Sequence, residues 1–125
     1  MSTDRFDAAF SPRGAIDLRQ LHVEPEAGDS VRCRVSLTVD HQPVDLEVSA
    51  LGTIGAISEL LYGLDAGVEI VALYQQDDDG QVAAYLQCAR GEQRCWSYGR
   101  AAGGDEATVR ALISAANQLT GRRAA

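Results

Sequence analysis

The sequence predicts an α+β domain made of duplicated βββα units, with antiparallel sheets packed against two helices around a pseudo-two-fold axis. Apolar and polar residues alternate through most of residues 16–50, which is the period of half-buried strands. The spacing then changes to that of a helix, and the same order of patterns recurs after residue 67. We therefore expect one domain over residues 15–121, with repeat units at 16–66 and 67–121.

Three strands begin the first unit. The clearest has apolar residues at every second position, namely Val31, Cys33, Val35, Leu37 and Val39. Turn-forming residues at 40–43 separate it from another alternating run over residues 44–50, so the two form a hairpin. Upstream, Ile16 and Leu18 share one phase whereas Leu21 and Val23 share the other. This change of phase predicts a β-bulge in the first strand.

A helix closes the first unit. After Gly52, apolar residues recur at helical spacing, at Ile54, Ile57, Leu60, Leu61 and Leu64. Thr53 is placed to cap the start of this helix, and Gly67 can end it.

The second unit repeats this order. Apolar runs at 68–74 and 82–88 predict two strands, and the tight turn Gly91–Glu92 leads into a third strand at 93–99. A helix follows, with Asp105 as its expected N-cap and Gly121 just past its end. Its apolar stripe is formed by Val109, Leu112, Ile113, Ala116 and Leu119.

Composition limits the class of protein. A chain of 125 residues with 46% hydrophobic content has room for one domain with a real core. The sequence lacks an apolar run of the ~20 residues that span a membrane, and its N-terminus lacks a secretory signal pattern, so we expect a cytoplasmic protein. Residues 1–14 carry no sustained period and are expected to form a flexible arm, with a short tail at 122–125.

The charge distribution argues against nucleic acid. The formal net charge is -7, and the eleven basic residues, all of them Arg, do not cluster as phosphate binding requires. Asp77, Asp78 and Asp79 lack the spaced oxygens and closing Glu of a calcium loop, so a solvated turn is the better interpretation. We expect no metal site and no cofactor.

Cysteine chemistry gives little support for an enzyme. Cys33, Cys88 and Cys95 are odd in number and none belongs to a C-x-x-C pair, so we expect no disulfide framework in a cytosolic chain. Cys33 and Cys88 fall in the apolar phase of their strands, where a thiol behaves as a small hydrophobic group. A pairing of Cys33 with His22 across neighbouring strands stays open on the pattern alone. The sequence offers no acid or oxyanion-hole motif to accompany such a pair, so we expect no catalytic residues.

The stretch from Leu18 to Leu119 resembles the C-terminal regulatory domain of α-isopropylmalate synthase, a leucine-binding dimerisation domain also found on citramalate synthases. The resemblance covers about four-fifths of the chain. It is carried by the segments VRCRVSLTVDHQPVDLEVSALGTIGAISELL, VEIVALYQQDDDGQVAAYLQC and RCWSYGRAAGGDEATVRALISAANQL. The last segment is the most telling, because Trp96 and Gly99 precede the A-x-x-S-A-x-N pattern of Ala111, Ser114, Ala115 and Asn117.

This resemblance implies a specific role. Domains of that family pair as dimers and bind a feedback amino acid, which inhibits a separate (β/α)₈ catalytic domain that condenses acetyl-CoA with a 2-keto acid. These 125 residues cannot contain a barrel of ~250 residues. The resemblance therefore predicts a homodimeric, non-catalytic regulatory module that senses a branched-chain amino acid or a related small metabolite and acts on a separately encoded synthase. The alternative is a dimerisation or adaptor protein whose ligand site is degenerate.

The same resemblance places a ligand site on the first unit. The helix start formed by Gly52, Thr53, Ile54 and Gly55 would receive the ligand carboxylate, although Ala50 and Thr53 replace the first glycine and the proline of the family's G-x-G-P. Tyr74 matches a family tyrosine, the apolar pocket would be lined by Ile70, Ala72 and Val82, and Asp79 with Gly80 would face the ammonium. In the alternative interpretation, the glycines serve only a tight transition and Tyr74 only covers the sheet. The second helix start would be structural, because Asp105 repels an anion.

Overall fold

The computed structural model describes residues 16–121, which form two three-stranded antiparallel sheets, each followed by a helix. The elements are β1 (Ile16–Pro25), β2 (Val31–Val39), β3 (Gln42–Ala50), α1 (Thr53–Gly63), β4 (Glu69–Asp78), β5 (Gln81–Arg90), β6 (Gln93–Ala101) and α2 (Gly104–Thr120). The predicted α+β class and the duplicated βββα order are confirmed. The arm predicted for residues 1–14 and the tail at 122–125 lie outside the described residues.

The first sheet has the order β1-β2-β3 and an apolar inner face. Its register places Val23, Cys33 and Val48 in one row, and the next inward row is Leu21, Val35 and Leu46. The register shifts between Leu18 and Gln20, which confirms the bulge predicted from the change of phase. Helix α1 packs against β2 and β3.

The second sheet has the order β4-β5-β6 and carries an equivalent bulge in its first strand, between Ile70 and Ala72. Helix α2 packs closely on β5 and β6. The contact is tightest at Gly99, where an added Cβ would meet the backbone oxygen of Ala107 and lie 2.5 Å from the backbone nitrogen of Ala111. Only glycine allows the helix to approach the strand this closely.

Three helix termini differ from the prediction. The N-caps are Gly52 and Gly103, neither with a side-chain capping bond, so Thr53 and Asp105 as caps were wrong. Both residues lie in the first turn instead, where their side chains bond to each other. Helix α1 also ends at Gly63, before the predicted Gly67. The left-handed cap at Gly121, with φ 71°, is as predicted.

Contacts between distant residues join the two units. Asn117 of α2 accepts a hydrogen bond from the backbone nitrogen of Ile16 (3.1 Å) and donates one to its backbone oxygen (2.8 Å). Asn117 is 2% exposed and Ile16 is 1% exposed, so this pair of hydrogen bonds is shielded from solvent. The 17-residue helix α2 thereby reaches across to β1, whereas α1 has only 11 residues. The pseudo-symmetry is therefore incomplete.

The outer faces of the two sheets also differ. On the first sheet, Arg32 and Arg34 lie 3.3 and 3.7 Å from the carboxylate of Glu47, which makes this face charged and solvated. The second sheet instead carries an aromatic pair, Tyr74 and Trp96, with ring centroids 6.1 Å apart. In the described part of the chain, no helix is long and apolar enough to cross a membrane.

Candidate functional site

The starts of the two helices meet between the repeat units. Thr53, the first residue of α1, donates a hydrogen bond from its hydroxyl to the carboxylate of Asp105 in the first turn of α2, at 3.1 Å. Thr53 is buried and Asp105 is exposed. We call this region the helix-start junction and define it by Gly52–Gly55 and Gly103–Asp105.

Strand β4 is fastened to the same junction through Gln75. Its side-chain amide donates to the hydroxyl of Thr108 at 2.7 Å and to the backbone oxygen of Gly104 at 3.2 Å. A Cβ at Gly104 would lie only 3.0 Å from the Gln75 side-chain oxygen, so the glycine makes room for this amide. The junction thus brings together α1, α2 and β4.

The electrostatics of the junction are unequal. Helix α1 has no acidic residue in its first turn, whereas α2 has Asp105 and Glu106. A helix N-terminus attracts negative charge, and the Asp105 carboxylate bonds to the first residue of α1 while belonging to α2. A negative group from the chain itself therefore already contacts one of the residues that were predicted to receive a ligand carboxylate. The second helix start, assigned a separate structural role from the sequence, contributes directly to the first.

Cys33 lies on the inner face of the first sheet, beside this junction. Burial raises the pKa of its thiol, a hydrogen bond with Thr53 lowers it, and the charge of Asp105 raises it further. His22 is not a partner of this thiol, since His22 pairs in register with Arg34 on the opposite face and contacts Glu24 at 3.0 Å. Cys33 and His22, the pair that the sequence pattern left open, therefore lie on opposite faces of the sheet.

The remaining residues of the predicted ligand site divide between three places. Val82 pairs with Ala101, just before α2, and lies on the inner face at the junction end of the second sheet. Ile70 lies on the same face at the far end, opposite Cys88. Ala72 and Tyr74 alternate onto the outer face, where Tyr74 stacks on Trp96. The structure therefore does not gather these four side chains around one pocket.

Asp79 and Gly80 form the turn between β4 and β5. Both have left-handed backbone conformations, with φ of 54° and 84°. Because Asp78 faces Arg100 at 3.2 Å, this turn is tied to β6 near the start of α2. Asp79 and Gly80 thus lie at the junction end of the second sheet.

Two surface cavities lie elsewhere. A trough of about 550 Å³ crosses the outer face of the first sheet, between side chains that include His22, Arg34 and Asp45. A groove of about 250 Å³ runs between β3 and α1, lined by residues that include Val48 and Leu60. Neither is lined by a residue of the predicted ligand site. Within residues 16–121, no three His, Cys, Asp or Glu side chains converge as a metal site would require.

Sequence reasoning missed the positions that hold the junction together. Gln75 follows the predicted strand at 68–74 and was given no role, although its amide is the group that ties β4 to α2. Asn117 was used only as part of a motif. Asn117 follows Ala116 on a helix whose other buried residues are small or apolar. An Asn at such a position indicates a buried polar role, and this signal was present in the sequence.

Comparison with known proteins gives a partial similarity to a biosynthetic enzyme. No family model matches the chain. A 2-isopropylmalate synthase from Pseudarthrobacter chlorophenolicus is 29% identical over 109 residues, which cover 84% of this chain and 19% of the synthase. The chain therefore spans about a fifth of the length of this curated relative. It is similar to a part of a 2-isopropylmalate synthase and has the α+β fold described above.

Proposed function

We propose that this chain is a non-catalytic regulatory module that binds a branched-chain amino acid or a related small metabolite and modulates a separately encoded, acyl-CoA-condensing enzyme of the isopropylmalate synthase kind. The observation that carries the proposal is the similarity to 2-isopropylmalate synthase, which extends over most of this chain but a small part of that enzyme. The 109 aligned residues are too few for a catalytic barrel of ~250 residues, so the similarity supports a regulatory role and not a catalytic one.

The helix-start junction is the part of the predicted site that supports ligand binding best. Gly52–Gly55 lie there, and Asp79, Gly80 and Val82 lie at the same end of the second sheet. Asp105 would have to move, or to bind the ligand ammonium itself, because its carboxylate bonds to Thr53. In this proposal, ligand binding at the junction acts on both units at once, since both helices begin there.

A thermal-shift screen with leucine, isoleucine, valine and their 2-keto acids tests binding. A ligand at 100 times its dissociation constant stabilises the folded protein by about 2.7 kcal/mol, which is a readily measured rise in melting temperature. Gly55→Ala and Gly63→Ala are matched variants, because an added Cβ meets no atom within 4 Å at either position. Gly55→Ala should weaken the shift and Gly63→Ala should preserve it.

Modulation is tested separately by adding the purified chain to an isopropylmalate synthase truncated to its catalytic barrel. We expect the amino acid that raises the melting temperature to change synthase activity only when the chain is present. Binding without any change in activity would retain the sensor and discard this partner.

Exposed apolar side chains favour dimerisation or an adaptor role as the second candidate. Leu51 is 82% exposed and Tyr62 is 64% exposed at the two ends of α1, and Val71 and Leu73 are 44% and 48% exposed on β4. Such side chains are typical of interaction surfaces when they cluster. The Thr53–Asp105 bond also favours this candidate, because it gives the Thr53 hydroxyl a partner without a ligand.

Light scattering distinguishes the two candidates when combined with the ligand screen. A stable dimer that no compound in the panel stabilises would establish the adaptor role and exclude the sensor. Tyr62→Ser with Leu73→Ser should then dissociate the dimer, whereas Ser36→Ala on the charged face of the first sheet should not.

A further inference from the structure

The strands β5 and β6 place two cysteines opposite each other. Cys88 and Cys95 are direct partners in the register of this hairpin, and both belong to or pack against the hydrophobic core. Cys88 is fully buried and Cys95 is partly accessible. The register and the shared face bring the two thiols together within a single supersecondary unit.

From this placement we propose that Cys88 and Cys95 form a reversible cross-strand disulfide, so that the second unit carries a redox-sensitive modification site. The third cysteine, Cys33, lies on the other sheet in register with Val23 and Val48, and takes no part. This inference is independent of ligand binding and of any synthase partner.

The backbone geometry allows this bond and predicts that it is strained. Counting from the pair Arg90 and Gln93, which closes the two-residue turn, the cysteines occupy a hydrogen-bonded position with Cα atoms about 5.5 Å apart. That spacing lies within the range of roughly 4.4–6.8 Å seen for disulfides. Opposite Cβ atoms are about 4.5–5.5 Å apart in such strands, whereas a disulfide needs about 3.8 Å. Closing the bond therefore pulls β5 and β6 together, and strained disulfides are easily reduced.

The thiols differ in a way that sets the order of reaction. Burial, and then the charge of Cys95, raise the pKa of Cys88 to about 12, whereas the pKa of Cys95 is raised by burial alone. Cys95 is also the more accessible sulfur. Cys95 therefore reacts first with an external oxidant, and Cys88 is the resolving thiol that then attacks the mixed disulfide.

The oxidant in this reaction is a low-molecular-weight disulfide. Cys95 gives its proton to solvent, and its thiolate attacks the oxidant, whose S–S bond breaks to leave a mixed disulfide on Cys95 and one free thiolate. Cys88 then gives up its proton, attacks the Cys95 sulfur and expels the second thiolate. Two protein thiols are oxidised, and one disulfide is reduced to two thiols.

The two cysteines also lie close to the contact between α2 and β1 that links the two repeat units. Gln118 of α2 donates a hydrogen bond to the backbone oxygen of Trp96, the residue after Cys95. Its neighbour Asn117 holds the backbone of Ile16. A displacement of β6 at Cys95 is therefore transmitted to the end of α2 that joins β1.

Oxidation of the full-length chain with 2-hydroxyethyl disulfide, followed by intact mass and non-reducing peptide mapping, tests the proposal. We expect a monomer lighter by two hydrogen atoms, with the peptides of Cys88 and Cys95 linked, and complete return to the dithiol in excess 2-mercaptoethanol. Cys33→Ala should behave identically, whereas Cys95→Ser and Cys88→Ala should give no lighter species.

Three results would overturn the proposal. The reaction could stop at a mixed disulfide on Cys95, the linked peptides could include Cys33, or the folded chain could stay a dithiol while a chain unfolded in urea is oxidised. Cys95→Ser is the decisive variant if Cys88→Ala does not fold, because Cys95 is only partly buried.

Discussion

The hydroxyl of Thr53 and the carboxylate of Asp105, 52 positions apart in sequence, are joined by a hydrogen bond of 3.1 Å where the two helices begin. Each residue belongs to a different repeat unit. The acidic side chain of the second unit thus stabilises the start of the first unit, which has no acidic residue of its own in its first turn. The two helix starts form one polar junction and not two separate sites.

This bond can be measured by a double-mutant cycle with Thr53→Val and Asp105→Asn. We expect a coupling free energy of about 0.5–1.5 kcal/mol in urea unfolding, because the bond is only partly buried. The control cycle replaces Asp105→Asn with Glu106→Gln, since Glu106 turns toward Arg110 at 3.4 Å. Coupling in the control equal to that of the Asp105 cycle would mean that general charge, and not this bond, stabilises the junction.

The amide of Asn117 should be among the most important polar groups for stability. Asn117→Leu leaves the buried backbone N–H and C=O of Ile16 without partners, at a cost of about 1–3 kcal/mol each. Chemical denaturation should therefore show a loss of about 2–5 kcal/mol. Ser36→Ala removes an exposed bond to Asp45 and should change stability by no more than about 0.5 kcal/mol. An equal loss of stability in both variants would contradict the buried pair of hydrogen bonds between Asn117 and Ile16.

Glycine substitutions at two positions should have opposite signs. Gly99→Ala introduces a Cβ against the backbone of α2, which should destabilise the fold by about 1–3 kcal/mol or more. Gly55→Ala adds a Cβ that meets nothing within 4 Å inside a helix, so it should stabilise by about 0.5–1 kcal/mol. Thermal unfolding of both variants checks this. If Gly99→Ala is as stable as the parent, α2 does not pack on β6 as closely as described.

Stability should fall in alkali because of the buried thiols. The pKa of Cys88 is raised from 9.0 to about 12, so the folded state holds a proton that the unfolded chain loses first. The resulting stabilisation is complete below pH 9 and is lost as the pH rises from 9 toward 12. Unfolding in urea between pH 8 and 10.5 should show this decline, and Cys88→Ala should flatten it. An equal slope in the variant would assign the decline to other groups.

The sequence by itself determined the strands, the helices and the duplication. Alternation over Val31–Val39 was sufficient to predict β2, and the change of phase between Leu18 and Leu21 was sufficient to predict the bulge in β1. Both features could be predicted because side-chain period and burial on one face are local properties. The N-caps of both helices were missed, since Thr53 and Asp105 are good capping residues whose side chains instead form a hydrogen bond with each other.

The tertiary structure alone decided which distant side chains meet. The face that Tyr74 occupies depends on the bulge between Ile70 and Ala72, which shifts the alternation of β4. The contacts of Asn117 with Ile16 and of Gln75 with Thr108 span 101 and 33 positions. Local propensity sets the elements, but such contacts exist only after the two units pack together, so no local pattern encodes them.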